Sequence, residues 1–103
     1  MATTKDYVDY VCDNVKGLGT ISNKKMFGEY MVYVNSKPLL LVCDNTVFIK
    51  MKDEIQEFMQ NAETGYPYDG AKEHYILDVE DYELTHKVLP ILESVIPLPK
   101  SKK

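Results

Sequence analysis

The stretch KKMFGEYMVYVNSKPLLLVCDNTVFIKMK, from Lys24 to Lys52, decides the fold because it predicts three consecutive strands. These strands are Tyr30–Val34, Leu39–Cys43 and Thr46–Met51. The turns between them are Asn35–Pro38 and Asp44–Asn45, because Asn, Asp and Ser bond locally and proline cannot donate to a ladder. Strands joined by turns this short are antiparallel.

Amphipathic helices flank this meander on both sides. Apolar residues recur at helical spacing from Thr4 to Lys16, and again from Tyr82 onward, where we expect a kink or short break at Pro90. A further helix is predicted from Asp53 to about Asn61, with Asp53 as its cap and Gln56 as the capping-box partner.

Between the last two helices lie a loop at Thr64–Gly70 and a strand at His74–Val79, with a short strand at Tyr66–Tyr68. The predicted order is α-β-β-β-α-β(-β)-α. It indicates a two-layer α+β fold with helices on one side of a mainly antiparallel sheet. The length of 103 residues predicts a single domain over 1–103, with a frayed tail at 96–103.

Charge and composition exclude several classes of function. The net charge is −4, and all 12 basic residues are lysines, so the guanidinium groups that grip phosphates in pairs are missing. Direct binding to nucleic acid is therefore not expected. No apolar run reaches the roughly 20 residues of a membrane span, and no export signal is visible. We expect a cytoplasmic protein with no membrane association.

The residues that could form a metal or catalytic site are Cys12, Cys43, His74 and His86. Their spacing contains neither C-x₂-C nor H-x₃₋₅-H, so we predict no metal site and no cofactor. Both cysteines lie on apolar patterns, which favours buried, reduced thiols. His86 is expected to face water. The carboxylates around Asp81 are interpreted as stabilising the start of the last helix.

The most informative short motif is Lys24-Lys25-Met26-Phe27-Gly28. One interpretation is a solvated strand entry with a glycine bulge. The other is a binding edge, at which Gly28 lets another backbone approach closely.

A larger set of positions extends this motif. They are Lys25-Met26-Phe27-Gly28, Tyr30, Val34-Asn35, Asp44, Phe48-Ile49-Lys50, Tyr66-Pro67-Tyr68, Gly70, Tyr75 and Val79. With them, the chain resembles the N-terminal domain of the TfoX competence-regulator family over residues 5–96. The resemblance implies a secretion-chaperone-like α+β fold without catalytic residues or cofactor. It also implies a link to transcriptional control of DNA uptake.

The leading hypothesis is a non-catalytic, cytoplasmic regulatory module that acts through protein partners, one of them in the transcription machinery. Its predicted partner-binding residues are Lys24, Lys25, Met26, Phe27, Gly28, Tyr66 and Tyr68. One alternative is a small enzyme that uses His74 with Tyr66, Tyr68 or Tyr75 as acid–base groups. Another is a direct DNA binder, which rests on the family alone.

The predicted sheet is apolar on both faces, and this predicts a homodimer. Val47, Ile49 and Met51 share one face of their strand and need the cover of the helices, yet the other face of the strand still presents Phe48. A second apolar face left in water would exceed what monomers usually expose. We expect Tyr30, Tyr33 and Phe48 to lie at the dimer interface, since tyrosine buries its ring while its hydroxyl finds a partner at the rim.

Overall fold

The computed structural model describes residues 4–26 and 29–96. In the chain, one α-helix precedes the strands and a second α-helix follows them. The helices are α1 (Lys5–Asn14) and α2 (Tyr82–Val95), with a 3₁₀ helix at Asp53–Met59. The strands are β1 (Ile21–Met26), β2 (Glu29–Val34), β3 (Lys37–Cys43), β4 (Thr46–Ile49), β5 (Thr64–Gly65) and β6 (His74–Ile76). Neither α-helix is long and apolar enough to cross a bilayer.

The strands form one antiparallel sheet in the order β1-β2-β3-β4-β6-β5. The predicted α+β class is confirmed. Two hairpins set the twist of the central strands: Asn35 and Ser36 have φ of 54° and 69°, and Asp44 and Asn45 have 54° and 55°. Positive φ at both loop positions is the requirement of a type I′ turn, which matches the natural twist of the strands it joins.

One face of the sheet packs against the helices. In β2 the buried residues alternate, so Tyr30, Val32 and Val34 join the core while Met31 and Tyr33 are half-buried. In β3 the core positions are Leu40 and Val42, opposite Val32 and Tyr30. The helices contribute fully buried side chains, including Val8, Val11, Val88 and Leu92.

A bulge in β3 interrupts the alternation of its side chains. Val32 pairs with Leu40 but Tyr33 pairs with Pro38, so Leu39 is an extra residue in the ladder. Leu39 is 2% exposed. Because a bulge inserts one residue into one strand, it allows two consecutive leucines, Leu39 and Leu40, to be buried together.

Both α-helices have the side-chain caps that hold their first turns. The Thr4 hydroxyl accepts from the Tyr7 amide at 3.2 Å, and Asp81 Oδ1 accepts from the Leu84 amide at the same distance. The capping interpretation of the acidic run is therefore confirmed at Asp81. At the other end of α2, Lys37 Nζ donates to the Glu93 carbonyl at 2.6 Å and lies 3.3 Å from its carboxylate. This pair ties the start of β3 to the last turn of α2.

Several predicted elements differ from the structure. Strand β1 was not predicted, because the segment ISNKKM is mostly polar and is stabilised by its pairing with β2. The helix predicted from Asp53 is a 3₁₀ helix whose cap residue, Lys52, makes no side-chain bond. Its three-residue turn keeps Ile55 and Phe58 on one side.

The boundaries elsewhere also shift. The short strand lies at Thr64–Gly65 instead of residues 66–68, and the next strand ends at Ile76. Strand β4 ends at Ile49, so Met51 is 39% exposed and lies outside the core. Helix α2 continues through Pro90 without the predicted break.

Two predictions fall at the limits of the described residues. Ile96, placed in the frayed tail, is 3% exposed and packs in the core. The rest of that tail, residues 97–103, lies outside the described part of the chain, as do Phe27 and Gly28.

Neighbouring leucines on the two faces of the sheet should contribute differently to the free energy of unfolding. Leu40→Ala removes a side chain with no solvent exposure and should cost about 2–5 kcal/mol of unfolding free energy. Leu41→Ala removes a half-buried side chain on the other face and should cost about 1 kcal/mol. Urea unfolding of both variants measures the difference. Equal losses, or a larger loss for Leu41→Ala, would contradict the assignment of faces.

Candidate functional site

The predicted binding edge lies on an edge strand. Lys24 and Lys25 are exposed on β1, which pairs with β2 alone, and Met26 ends the strand opposite Glu29. An edge strand presents unpaired backbone groups to solvent, and lysines on such a strand discourage unspecific pairing. The structure therefore gives these three residues a place that fits either interpretation of the motif.

Tyr66 and Tyr68 follow β5, the strand at the other edge of the sheet, and are 65% and 62% exposed. Tyr68 nevertheless lies near the central strands, because it lines a groove together with Met31, the residue that pairs with Lys24. The joint role of Lys24–Met26 and the two tyrosines in partner binding stays a prediction.

A row of side chains connects the two regions across the face of the sheet that the helices do not cover. Residues directly opposite each other in an antiparallel ladder share a face. The paired positions that form the row are Lys24, Met31, Leu41, Phe48 and Ile76. Tyr33 has the same parity as Met31. We call the surface formed by Lys24, Met31, Tyr33, Leu41 and Phe48 the open face.

The residues predicted for the dimer interface divide between the two faces. Tyr33 and Phe48 belong to the open face, but Tyr30 is 7% exposed within the helix-covered core. The prediction for Tyr30 is wrong, because the alternation of β2 assigns Tyr30 to the side of Val32 and Val34.

Phe48 is less accessible than expected. It is 7% exposed, and its ring meets the His74 ring edge-on with 6.5 Å between centroids. A Phe48→Glu substitution would place a carboxylate in this nearly buried position beside the His74 ring. The uncovered part of the open face is therefore its half-buried residues, Met31, Tyr33 and Leu41.

A groove of about 360 Å³ lies where the open face meets the segment 68–74. Its floor is apolar and consists of Met31, Leu39, Leu41 and Phe48. Its rim carries Lys50, Tyr68, Lys72 and His74. No Asp or Glu is among the described residues that line it. We call this feature the basic groove.

The imidazole of His74 is held in a defined orientation at the rim. Nδ1 donates to the Lys72 carbonyl at 2.7 Å, which leaves Nε2 as the ring atom for any other partner. Tyr68 lines the same groove, whereas Tyr75 packs against the core on the other side of the sheet. Of the three tyrosines considered for an enzyme, the groove brings Tyr68 alone to His74.

Neither cysteine has the environment of a reactive thiol. Burial raises the pKa of Cys43 to about 11, and the carboxylates of Glu29 and Asp44 act in the same direction. Burial also raises the pKa of Cys12, although the Asn23 amide, 3.6 Å from Sγ, lowers it in part. Both thiols are free and stay protonated at neutral pH, unlike an activated nucleophile.

The second histidine has a structural position that the sequence did not predict. His86 Nε2 donates to the Asn14 carbonyl at 2.9 Å, and its ring stacks on Tyr82 with 3.8 Å between centroids. His86 thus joins α2 to the end of α1 instead of facing water. Within residues 4–26 and 29–96, no three His, Cys, Asp or Glu residues gather in a metal-binding arrangement.

The basic groove was missed by sequence reasoning, although part of its signal was visible. Lys50 follows Phe48 at the same parity of one strand, which places both on one face. Lys72 comes from a loop, and only the tertiary structure shows that this loop folds over the open face. The contribution of Lys72 could not be predicted.

Comparison with known proteins agrees with the resemblance described above. Residues 13–89 match the TfoX N-terminal domain family. The chain is also 35% identical, over 105 aligned positions, to a Spirochaeta aurantia protein described as an uncharacterized 12.7 kDa protein in the trpE 5′ region. That match covers 100% of this chain and 91% of the relative. The chain therefore belongs to the TfoX N-terminal domain family.

Proposed function

We propose that this chain is a non-catalytic regulatory module of the cytoplasm that binds protein partners through its open face. The observation that carries the proposal is the row of half-buried Met31, Tyr33 and Leu41 on the side of the sheet opposite the helices. Apolar and aromatic side chains that stay partly exposed in one row are typical of an interaction surface.

Further observations support the remaining parts of this proposal. Membership in the TfoX N-terminal family supports a regulatory role, with a partner in the transcription machinery. Two free thiols fit a reducing compartment such as the cytoplasm. Direct DNA contact is not part of the proposal, because the net charge of −4 and the lack of arginine disfavour phosphate binding.

We also propose that a second copy of the chain is one partner of the open face. A two-fold arrangement would place Tyr33 and Met31 of each copy near the symmetry axis. It would also bury the apolar surface of the open face, as the helices bury the opposite face of the sheet. Two-fold pairing is the commonest form of self-association. The edge lysine Lys24 would then lie at the rim, where a charged side chain remains in water.

The first prediction concerns partner recovery from a bacterial lysate. Tyr33→Glu places a charge in the middle of the open face and should abolish capture of a partner that the wild-type chain retains. Tyr10→Glu, at a tyrosine that is 40% exposed on α1, is the matched control and should retain it. Quantitative mass spectrometry of the captured proteins measures the difference. Equal recovery by all three chains would remove the open face as the binding surface.

The second prediction concerns the homodimer. Sedimentation equilibrium at about 100 μM, well above the micromolar dissociation constant of a standard interface, should show the wild type as a dimer. Tyr33→Glu should sediment as a monomer with unchanged circular dichroism, and Tyr10→Glu as a dimer. A monomeric wild type at this concentration would overturn self-association and leave the binding of other proteins to be judged by the recovery experiment.

A further inference from the structure

The basic groove combines an apolar surface with basic side chains. Its floor is apolar and includes Phe48, which is 7% exposed, and Leu39, which is 2% exposed. Lys50 and Lys72 also line the groove, although the chain as a whole has a net charge of −4. A ligand that fits both surfaces has an apolar body and a negative group at one end.

The basic residues that line the groove come from separate elements. Lys50 directly follows β4, Lys72 lies in the loop before β6, and His74 is the first residue of β6. The bond from His74 Nδ1 to the Lys72 carbonyl fixes the relation between the last two residues. It also fixes the orientation of the His74 ring beside the groove.

From this arrangement we infer that the basic groove binds a small amphipathic monocarboxylate, with its carboxylate at Lys50 and Lys72 and its hydrocarbon body on the apolar floor. The volume of about 360 Å³ falls in the range of small-molecule sites, which are mostly apolar with a few converging polar groups. A compact ammonium group binds a carboxylate as a point charge, so the absence of arginine does not weaken this assignment.

Other occupants match the groove less well. Inorganic phosphate would bind the lysines of the rim but make no contact with the apolar floor. A neutral hydrocarbon would contact the floor but leave the lysines without an anionic partner. The segment 97–103 of the chain itself contains Lys100, Lys102 and Lys103, so it carries the same charge sign as the rim. Charge complementarity therefore favours the amphipathic acid.

This site goes beyond the proposed protein-binding role but adjoins it. Met31 and Leu41 belong both to the open face and to the floor of the groove. A bound acid would cover surface that a protein partner also needs. The ligand would thus compete with the partner, which makes the module responsive to the concentration of the acid.

Isothermal titration with decanoate, below its micelle concentration, tests the ligand directly and without any protein partner. Decanoate should bind with one-to-one stoichiometry. Shortening the probe to octanoate should weaken binding roughly tenfold, because two methylenes leave the floor. Decanol and inorganic phosphate, which each lack one half of the ligand, should bind far more weakly than decanoate.

Variants of the rim complete the test. The double substitution Lys50→Gln and Lys72→Gln should weaken decanoate binding roughly tenfold, as expected for two partly exposed charge contacts. Lys16→Gln, at an exposed lysine just beyond α1, is the control and should bind like the wild type. Circular dichroism confirms that each variant is folded.

Three results would overturn the inference. The first is that decanoate at about 1 mM gives no binding heat. The second is that the rim variant binds decanoate as tightly as the wild type, and the third is that decanol binds as tightly as decanoate. The decanoate titration and the partner-recovery experiment test the ligand site and the protein-binding role separately. If decanoate binds but partner recovery is the same for the wild type and Tyr33→Glu, the ligand site stands and the proposed function fails.

Discussion

The burial of one face of the sheet beneath α1 and α2 is the constraint on which the rest of the structure depends. Val32, Leu40 and Val42 reach the core because side chains alternate along a strand, and that alternation sends Met31, Tyr33 and Leu41 to the other side. The bulge at Leu39 shifts the register of β3 against β2 between the pairs of Val32 and Tyr33. The open face is thus a direct consequence of how the core is built.

Much of the fold could be predicted from local signals. Thr4 and Asp81 are caps with a defined side-chain bond, and two pairs of turn residues at positive φ fix the central hairpins. Other elements depend on tertiary contacts. The polar segment Ile21–Met26 is a strand because β2 offers it a partner, and the segment after Lys52 forms a 3₁₀ helix without a side-chain cap. In these two segments, tertiary contacts override the local propensity of the sequence.

The candidate site was less predictable than the fold. Alternation separates Tyr30 from Tyr33, but it does not say which of the two the helices will cover, so Tyr30 was placed on the wrong face. The position of Tyr68 near Met31 depends on how the segment between β5 and β6 packs on the sheet. Phe48 packs against the His74 ring of β6, a long-range contact that no periodicity reveals. Binding surfaces of this kind are set by long-range topology.

The account rests on the claim that binding uses the open face and not the helix layer. Amide NMR spectra of the ¹⁵N-labelled chain, diluted from about 1 mM down to a micromolar dissociation constant at about 1 μM, test this claim most directly. The account predicts that shifts change at Met31, Tyr33 and Leu41 and at their neighbours across the sheet. Changes confined to the exposed tyrosines of the helices, Tyr10 and Tyr82, would contradict it.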